Sequence, residues 1–214
     1  MNWNELPFIE KVKTNQKDFG NKVIDIAKLL KTNPSNLMVV MNNESGLKAD
    51  IKNPTSSASG LIQFMEATAK ELGTTTAELR AMSNVKQLDY VYKYLKLYTG
   101  KMNSAGEVYL AVFYPLALYR DDNFTFPAWV VNANKIFDIN KDSILTKREF
   151  KQYVYDKYKK YLTPNNTPTT QPTPTQPQLN WVVRNKKPIL ITLGTLTILT
   201  VLYYGTKSKS VFSR

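Results

Sequence analysis

Ser35-Asn36-Leu37-Met38-Val39-Val40-Met41-Asn42-Asn43-Glu44-Ser45-Gly46 holds the main architectural clue in this chain. Ser35 follows Pro34 and suits a helix N-cap. Leu37, Val40 and Met41 then share one helical face, and Glu44 continues the same stripe. A carboxyl thus stands where an apolar side chain belongs, and Gly46 can end the helix just beyond it. A carboxyl on an apolar stripe loses hydration, and its pKa rises. A general acid working near neutral pH needs such a carboxyl. Carboxylates on apolar faces more commonly pair with a buried Lys or Arg. Periodicity alone therefore leaves both readings of Glu44 open.

A second stretch, Ser57-Ala58-Ser59-Gly60-Leu61-Ile62-Gln63-Phe64-Met65, is followed by Ala67-Thr68-Ala69. Together, Glu44-Ser45-Gly46 and this stretch resemble the lytic transglycosylases of the soluble-lytic-transglycosylase, goose-type lysozyme-like family. The family pattern is Glu-Ser, a short loop, then Gly-Leu-(Met/Ile)-Gln-(Ile/Phe)-Met. The run Gln87-Leu88-Asp89-Tyr90-Val91 is similar to phage-encoded members, and the resemblance covers about residues 20–120. It implies peptidoglycan glycan strands as partner, the MurNAc-β-1,4-GlcNAc bond as target and Glu44 as the catalytic acid and base. It also implies that Ser45 orients Glu44, that Gln63 hydrogen-bonds substrate or the cleft backbone, and that Phe64 adjoins the substrate. The family's third motif, an aromatic-Asn pair, corresponds to Leu110-Ala111-Val112-Phe113-Tyr114-Pro115-Leu116-Ala117, with the Asn replaced at about Pro115. Tyr114 either lines the cleft in its stead or packs in a core helix.

The chemistry so implied needs a single carboxylate. Glu44 donates its proton to the glycosidic oxygen and then takes one from the sugar's C6 hydroxyl, which closes on C1. An internal nucleophile removes the second carboxylate that ordinary glycosidases require. Asp50 and Glu66 are the candidate partners for a hydrolytic, lysozyme-type outcome instead.

Composition narrows the alternatives. The 214 residues suit one compact domain with appendages. With no cysteine there is no disulfide, thiolate metal site or cysteine nucleophile, and with no histidine there is no Ser-His-Asp triad. The net charge of +12 favours an anionic polymer or membrane surface. No zinc finger, RNP-type motif or continuous basic helix points to nucleic acid. The charge is densest at Lys157, Lys159 and Lys160. Met1-Asn2-Trp3-Asn4-Glu5-Leu6-Pro7 does not read as a signal peptide.

Residues 1–19 read as a polar lead-in, and 20–32 as an amphipathic helix ended by Pro34. Residues 47–59 form a loop that can wall a cleft. From Gly60, the positions Leu61, Phe64, Met65, Thr68, Ala69 and Leu72 make a helical face up to Gly73. Thr76 opens a short helix. Ser83 or Asn84 caps another that carries Leu88, Val91, Leu95 and Tyr98. Residues 108–118 are nearly all apolar and read as a buried central helix that Pro115 kinks or ends. The expected fold is all-α: a lysozyme-like domain over 1–125, then a helix-loop-helix over 126–160.

That second unit holds Asp138-Ile139-Asn140-Lys141-Asp142-Ser143-Ile144-Leu145-Thr146-Lys147-Arg148-Glu149, which resembles an EF-hand calcium loop. Side-chain oxygens fall at Asp138, Asn140, Asp142, Thr146 and Glu149, with the Ile144 carbonyl between them, and helices are expected over 128–137 and 147–160. Ser143 stands where glycine normally makes the sharp turn. Residues 161–180 are a Pro/Thr-rich extended linker. The uncharged run 188–204, with Trp181 and Tyr203-Tyr204 near its ends, reads as a single transmembrane anchor over 181–206, ahead of a basic tail at 207–214. A wall-cutting domain with a lipid anchor and no export signal suits a phage particle with an internal membrane, beside capsid proteins, in preference to a C-terminally anchored bacterial protein. The competing reading is a non-catalytic, membrane-tethered virion structural or wall-binding protein.

Overall fold

A computed structural model describes residues 1–162 and, as backbone alone, Ile189–Leu193 and Leu196–Thr200. Every element up to residue 162 is helical. The α-helices are α1 (Gln16–Leu30), α2 (Pro34–Ser45), α3 (Glu66–Glu71), α4 (Thr76–Ala81), α5 (Asn84–Leu95), α6 (Ala105–Phe113), α7 (Ala128–Ala133) and α8 (Lys147–Tyr158).

Helix α2 is the centre. It packs against α1 on one side and α6 on the other; α5 backs α1, and α8 backs α6. The expected single apolar stripe is therefore too narrow a description. Every residue of α2 from Ser35 to Met41 is buried, as are Asn43, Glu44 and Ser45. The N-cap also differs from expectation: Asn33 accepts from the Ser35 backbone N–H at 2.9 Å, and Pro34 takes the first helical position. Proline fits there because its missing N–H would have had no helical partner. Gly46 ends the helix in the left-handed region at φ 61°.

The supposed polar lead-in belongs to the core. Leu6, Phe8, Ile9 and Val12 are buried in or beside two short 3-10 turns: Leu6 follows Trp3–Glu5, and Phe8 and Val12 flank Ile9–Lys11, which contains Ile9. Phe8 packs 4.3 Å from the Tyr161 ring, so the two ends of the helical body meet.

Pro115 ends α6 at Phe113, and the apolar run continues as the 3-10 turn Pro115–Tyr119. At the other end, a Cβ added to Gly106 would lie 3.0 Å from the Lys151 Cα, so α6 and α8 approach backbone to backbone there. Phe113 stacks on Phe150 at 5.1 Å, and Tyr109 packs 5.3 Å from Phe150. The helix-loop-helix thus shares one aromatic core with the helices before it. Buried Lys151 pairs with Asp122 at 2.7 Å, and buried Lys147 donates to the Arg120 carbonyl at 2.7 Å. The helix expected over 128–137 is shorter: α7 stops at Ala133, and a 3-10 turn, Lys135–Phe137, follows.

Within the span expected as a transmembrane anchor, two backbone strands are described. Ile189–Leu193 pairs antiparallel with Leu196–Thr200, in register from Ile189 with Thr200 to Leu193 with Leu196. Three isoleucines and three threonines in ten residues suit extended backbone better than helix. The first strand lies against α2 and the second against α7. No helix among the described residues is long and apolar enough to cross a membrane. The remainder of 181–206, the linker beyond Leu162 and the tail 207–214 lie outside the described residues.

Candidate active site

Glu44 is set by the last turn of α2. Its side chain is 1 % exposed, and it is the only buried acidic residue among those described. Both carboxyl oxygens are buried without a hydrogen-bond partner, and among the described residues no cation pairs with them. Burial pushes the pKa from 4.5 up to about 8, while the nearby Tyr109 hydroxyl pulls it down. Tyr109 approaches closely enough to act electrostatically but lacks the geometry of a formed hydrogen bond. Desolvation dominates, so at neutral pH the carboxyl holds its proton.

The second motif is not the opening of a helix. It is a tight loop in which Ser59 and Phe64 exchange backbone hydrogen bonds of 3.0 and 2.8 Å, and only Glu66–Glu71 behind it is helical. Two residues in the left-handed region make the turn, Gly60 at φ 76° and Gln63 at φ 52°. Gly60 is required for a further reason: an added Cβ would collide with the Gln87 carboxamide. Gln87 is fully buried and clamps the loop. Its Oε1 accepts from Leu61 N–H at 2.6 Å, and its Nε2 donates to the Ala49 and Leu79 carbonyls at 2.9 and 2.7 Å.

Of the expected substrate contacts, the described geometry gives structural duties to most. Ser45 Oγ lies 2.9 Å from the Met41 carbonyl and 3.0 Å from the Leu61 carbonyl, and its one proton serves either. It pins the motif loop to α2 and does not hydrogen-bond Glu44. Gln63 Nε2 donates to the Gly60 carbonyl at 3.1 Å, which is the backbone alternative. Phe64 is buried edge-on to Tyr94 at 6.4 Å. Tyr114 caps the end of α6 and packs against Phe124, Phe126 and Trp129. Its surroundings match the core alternative.

Neither proposed second carboxylate is poised beside Glu44. Glu66 caps α4: its Oε2 accepts from the Thr76 hydroxyl at 2.6 Å and backbone N–H at 3.0 Å, which hold its pKa down. Asp50 is exposed in the loop after α2.

Sequence reasoning missed Tyr109 and Asn43. Asn43 Nδ2 donates to the Tyr109 hydroxyl at 2.6 Å, and Asn43 Oδ1 accepts from Tyr158 at 2.8 Å and Lys157 at 3.0 Å. The signal in the sequence was Tyr109 sitting five residues before Tyr114 on the same apolar helix.

The loop Asp138 to Glu149 folds on itself. Asp138 Oδ2 accepts from Ser143 N–H at 3.0 Å, Asp142 Oδ1 from Ile144 N–H at 2.8 Å, and Asn140 Oδ1 from Asp142 N–H at 3.0 Å. Glu149 Oε2 closes a capping box with Thr146 at the start of α8. Ser143 takes φ 67°, the conformation glycine would provide. Two oxygens, Asp138 Oδ1 and Glu149 Oε1, are buried without a partner. Among the described residues no three acidic side chains form a metal-ready cluster. A hollow of about 700 Å³ adjoins this loop, lined in part by Val131, Ile136, Ile139, Tyr153, Asp138 and Ser143. Glu44 does not line it.

No curated protein and no solved structure matches this chain. A family does: residues 23–113, which run from α1 through α6 and contain Glu44, match the model described as Transglycosylase SLT domain.

Proposed function

We propose that the protein is a peptidoglycan lytic transglycosylase in which Glu44 is both general acid and general base. The observation that carries this reading is the buried, cation-free carboxyl of Glu44, whose pKa is raised to about 8 inside the matched region. Protonated Glu44 donates to the glycosidic oxygen as the bond to C1 breaks. The carboxylate so formed takes the proton of the C6 hydroxyl, whose oxygen bonds C1 and leaves a 1,6-anhydro end. The proton returns to Glu44, so the cycle needs no second carboxylate. At 1 % exposure, Glu44 meets a glycan only when its surroundings open.

Digestion of purified wall by the full chain, followed by mass spectrometry of the fragments, tests the reading. Anhydro ends from the native chain and none from Glu44→Gln are the expected result. Reducing MurNAc ends alone would make the enzyme a hydrolase. No fragments at all would favour the non-catalytic, wall-binding or virion structural role.

Two accessory roles belong to the same proposal. Asp138, Asn140, Asp142, Thr146, Glu149 and the Ile144 carbonyl form a calcium site, with the two bare oxygens at Asp138 and Glu149 as the support for it. Calcium there supplies structural stability and takes no part in the bond chemistry. The apolar run 188–204 with its flanking lysines holds the chain at a lipid surface, which we take to be the internal membrane of a phage particle. Flotation of the full chain with vesicles, and its detection in purified particles, test that placement.

A further inference from the structure

We propose that α8 belongs to the catalytic apparatus: Lys157 and Tyr158 fix the orientation of Asn43, and Asn43 turns the Tyr109 hydroxyl so that its proton faces Glu44. This deepens the reading of Glu44 as the acid and rests on it. It also extends the active site beyond residues 23–113, because α8 lies outside that stretch.

The argument is one of donors and acceptors. A carboxamide offers one oxygen and one NH2 group, and its orientation is set by what surrounds it. Asn43 is 9 % exposed, and its oxygen lies 3.0 Å from Lys157 Nζ and 2.8 Å from the Tyr158 hydroxyl. An ammonium can only donate, so the Asn43 oxygen must face Lys157, and the NH2 must face the other way. There it meets the Tyr109 oxygen at 2.6 Å. A tyrosine oxygen that accepts from an amide keeps its own O–H free to point elsewhere. Of the groups electrostatically coupled to Tyr109, which are Glu44, Tyr158 and Tyr153, the Glu44 carboxyl has the strongest effect, and its oxygens are buried acceptors without a hydrogen-bond partner. The polarity therefore runs one way, from Lys157 through Asn43 and Tyr109 toward the carboxyl. A Tyr109 O–H so turned is placed to donate to Glu44 as the carboxylate forms, which favours the ionised form when the acid gives up its proton.

The packing makes this a fixed arrangement. Tyr109 and Tyr158 are 2 % and 7 % exposed, and Phe8 meets the Tyr158 ring edge-on at 6.2 Å. Lys157 lies 5.2 Å from the Tyr158 ring, which holds its ammonium beside Asn43. The titratable groups around Glu44 are Tyr109 from α6 and Tyr158 from α8. Lys157 and Lys11 sit one step away, on Asn43 and Asn42.

Carbon-13 NMR titration of the Glu44 carboxyl in the full chain tests this, with wall cleavage followed across pH in parallel. Tyr109→Phe should move the midpoint upward, and Tyr158→Phe should move it upward by less. The double variant should match Tyr109→Phe alone, because Tyr158 acts only through Tyr109. The alkaline limb of the activity profile should move with each midpoint. Lys157→Met removes the orienting donor from a partly exposed position and serves if Tyr158→Phe fails to fold; it too should act only where Tyr109 is present. Midpoints unmoved by both α8 variants, or shifts that add to that of Tyr109→Phe, would overturn the proposal. A native Glu44 that titrates in the ordinary carboxyl range would instead overturn the acid–base reading beneath it, so the two failures are separable.

Discussion

The end of α2 and the loop Asp138 to Glu149 share one anomaly and resolve it in opposite ways. Each holds buried carboxyl oxygens with no hydrogen-bond partner: both oxygens of Glu44, and one each of Asp138 and Glu149. Around Glu44 burial is nearly complete and the coupled groups are the hydroxyls of Tyr109 and Tyr158, so the inexpensive remedy is a proton. In the loop, the remaining oxygens of Asp138, Asn140, Asp142 and Glu149 already receive backbone N–H groups. On the proposed calcium reading, the remedy for the two bare oxygens there is a cation. A bare buried carboxyl is thus not one signal but two, and its neighbours decide which.

The largest effect that sharpens the contrast is catalytic. Glu44→Gln keeps the shape and removes the transferable proton, and should lower wall cleavage by about 10²–10⁴-fold. Fragment release measured by mass spectrometry checks it, and Glu149→Gln should leave that rate within a few-fold at saturating calcium.

Stability against pH separates the two regions next. Glu44 has a folded pKa of about 8 against 4.5 for the free group. Between those values the folded chain holds a proton that the unfolded chain has lost. Stability should therefore fall with rising pH, by at most about 1.4 kcal/mol per unit, and level off above the upper value. Denaturant titrations at several pH values should show this slope in the native chain and its loss in Glu44→Gln.

Calcium should act on the other region alone. At a hundredfold excess over its dissociation constant, one bound ion stabilises the folded chain by about 2.7 kcal/mol. Melting temperature with and without calcium reads this, and Glu149→Gln should abolish the gain. The smallest effect is local. Ser143→Gly removes a side chain from the left-handed region and should add about 1 kcal/mol of stability. Thermal melting checks it.

Much of this was legible in the sequence, for identifiable reasons. The helix stops at Gly46, Gly73 and Pro115 and the Ser83 cap depend on local chemistry, and each is where the residue type put it. Glu44 stood out because its position on α2 violates the apolar pattern. The second motif was harder. Gly60 and Gln63 make a turn whose shape depends on Gln87, a residue 27 positions after Gly60, and no local pattern carries that contact. Tyr109 and Asn43 were hidden for the same reason, since their meaning comes from Tyr158 and Lys157 across the fold. Leu6, Phe8 and Ile9 were lost among polar neighbours, although all three are buried and Phe8 closes the body against Tyr158 of α8 and Tyr161. For the apolar run 188–204, apolar content alone does not distinguish helix from strand, and Ile189–Leu193 and Leu196–Thr200 are described as a strand pair.

The central claim is that the Glu44 carboxyl carries a proton at neutral pH. Infrared difference spectroscopy between the native chain and Glu44→Gln reads it directly. A band from a protonated carboxylic acid, lost in the variant, is the predicted result. A difference spectrum with the bands of an ionised carboxylate alone would contradict the account.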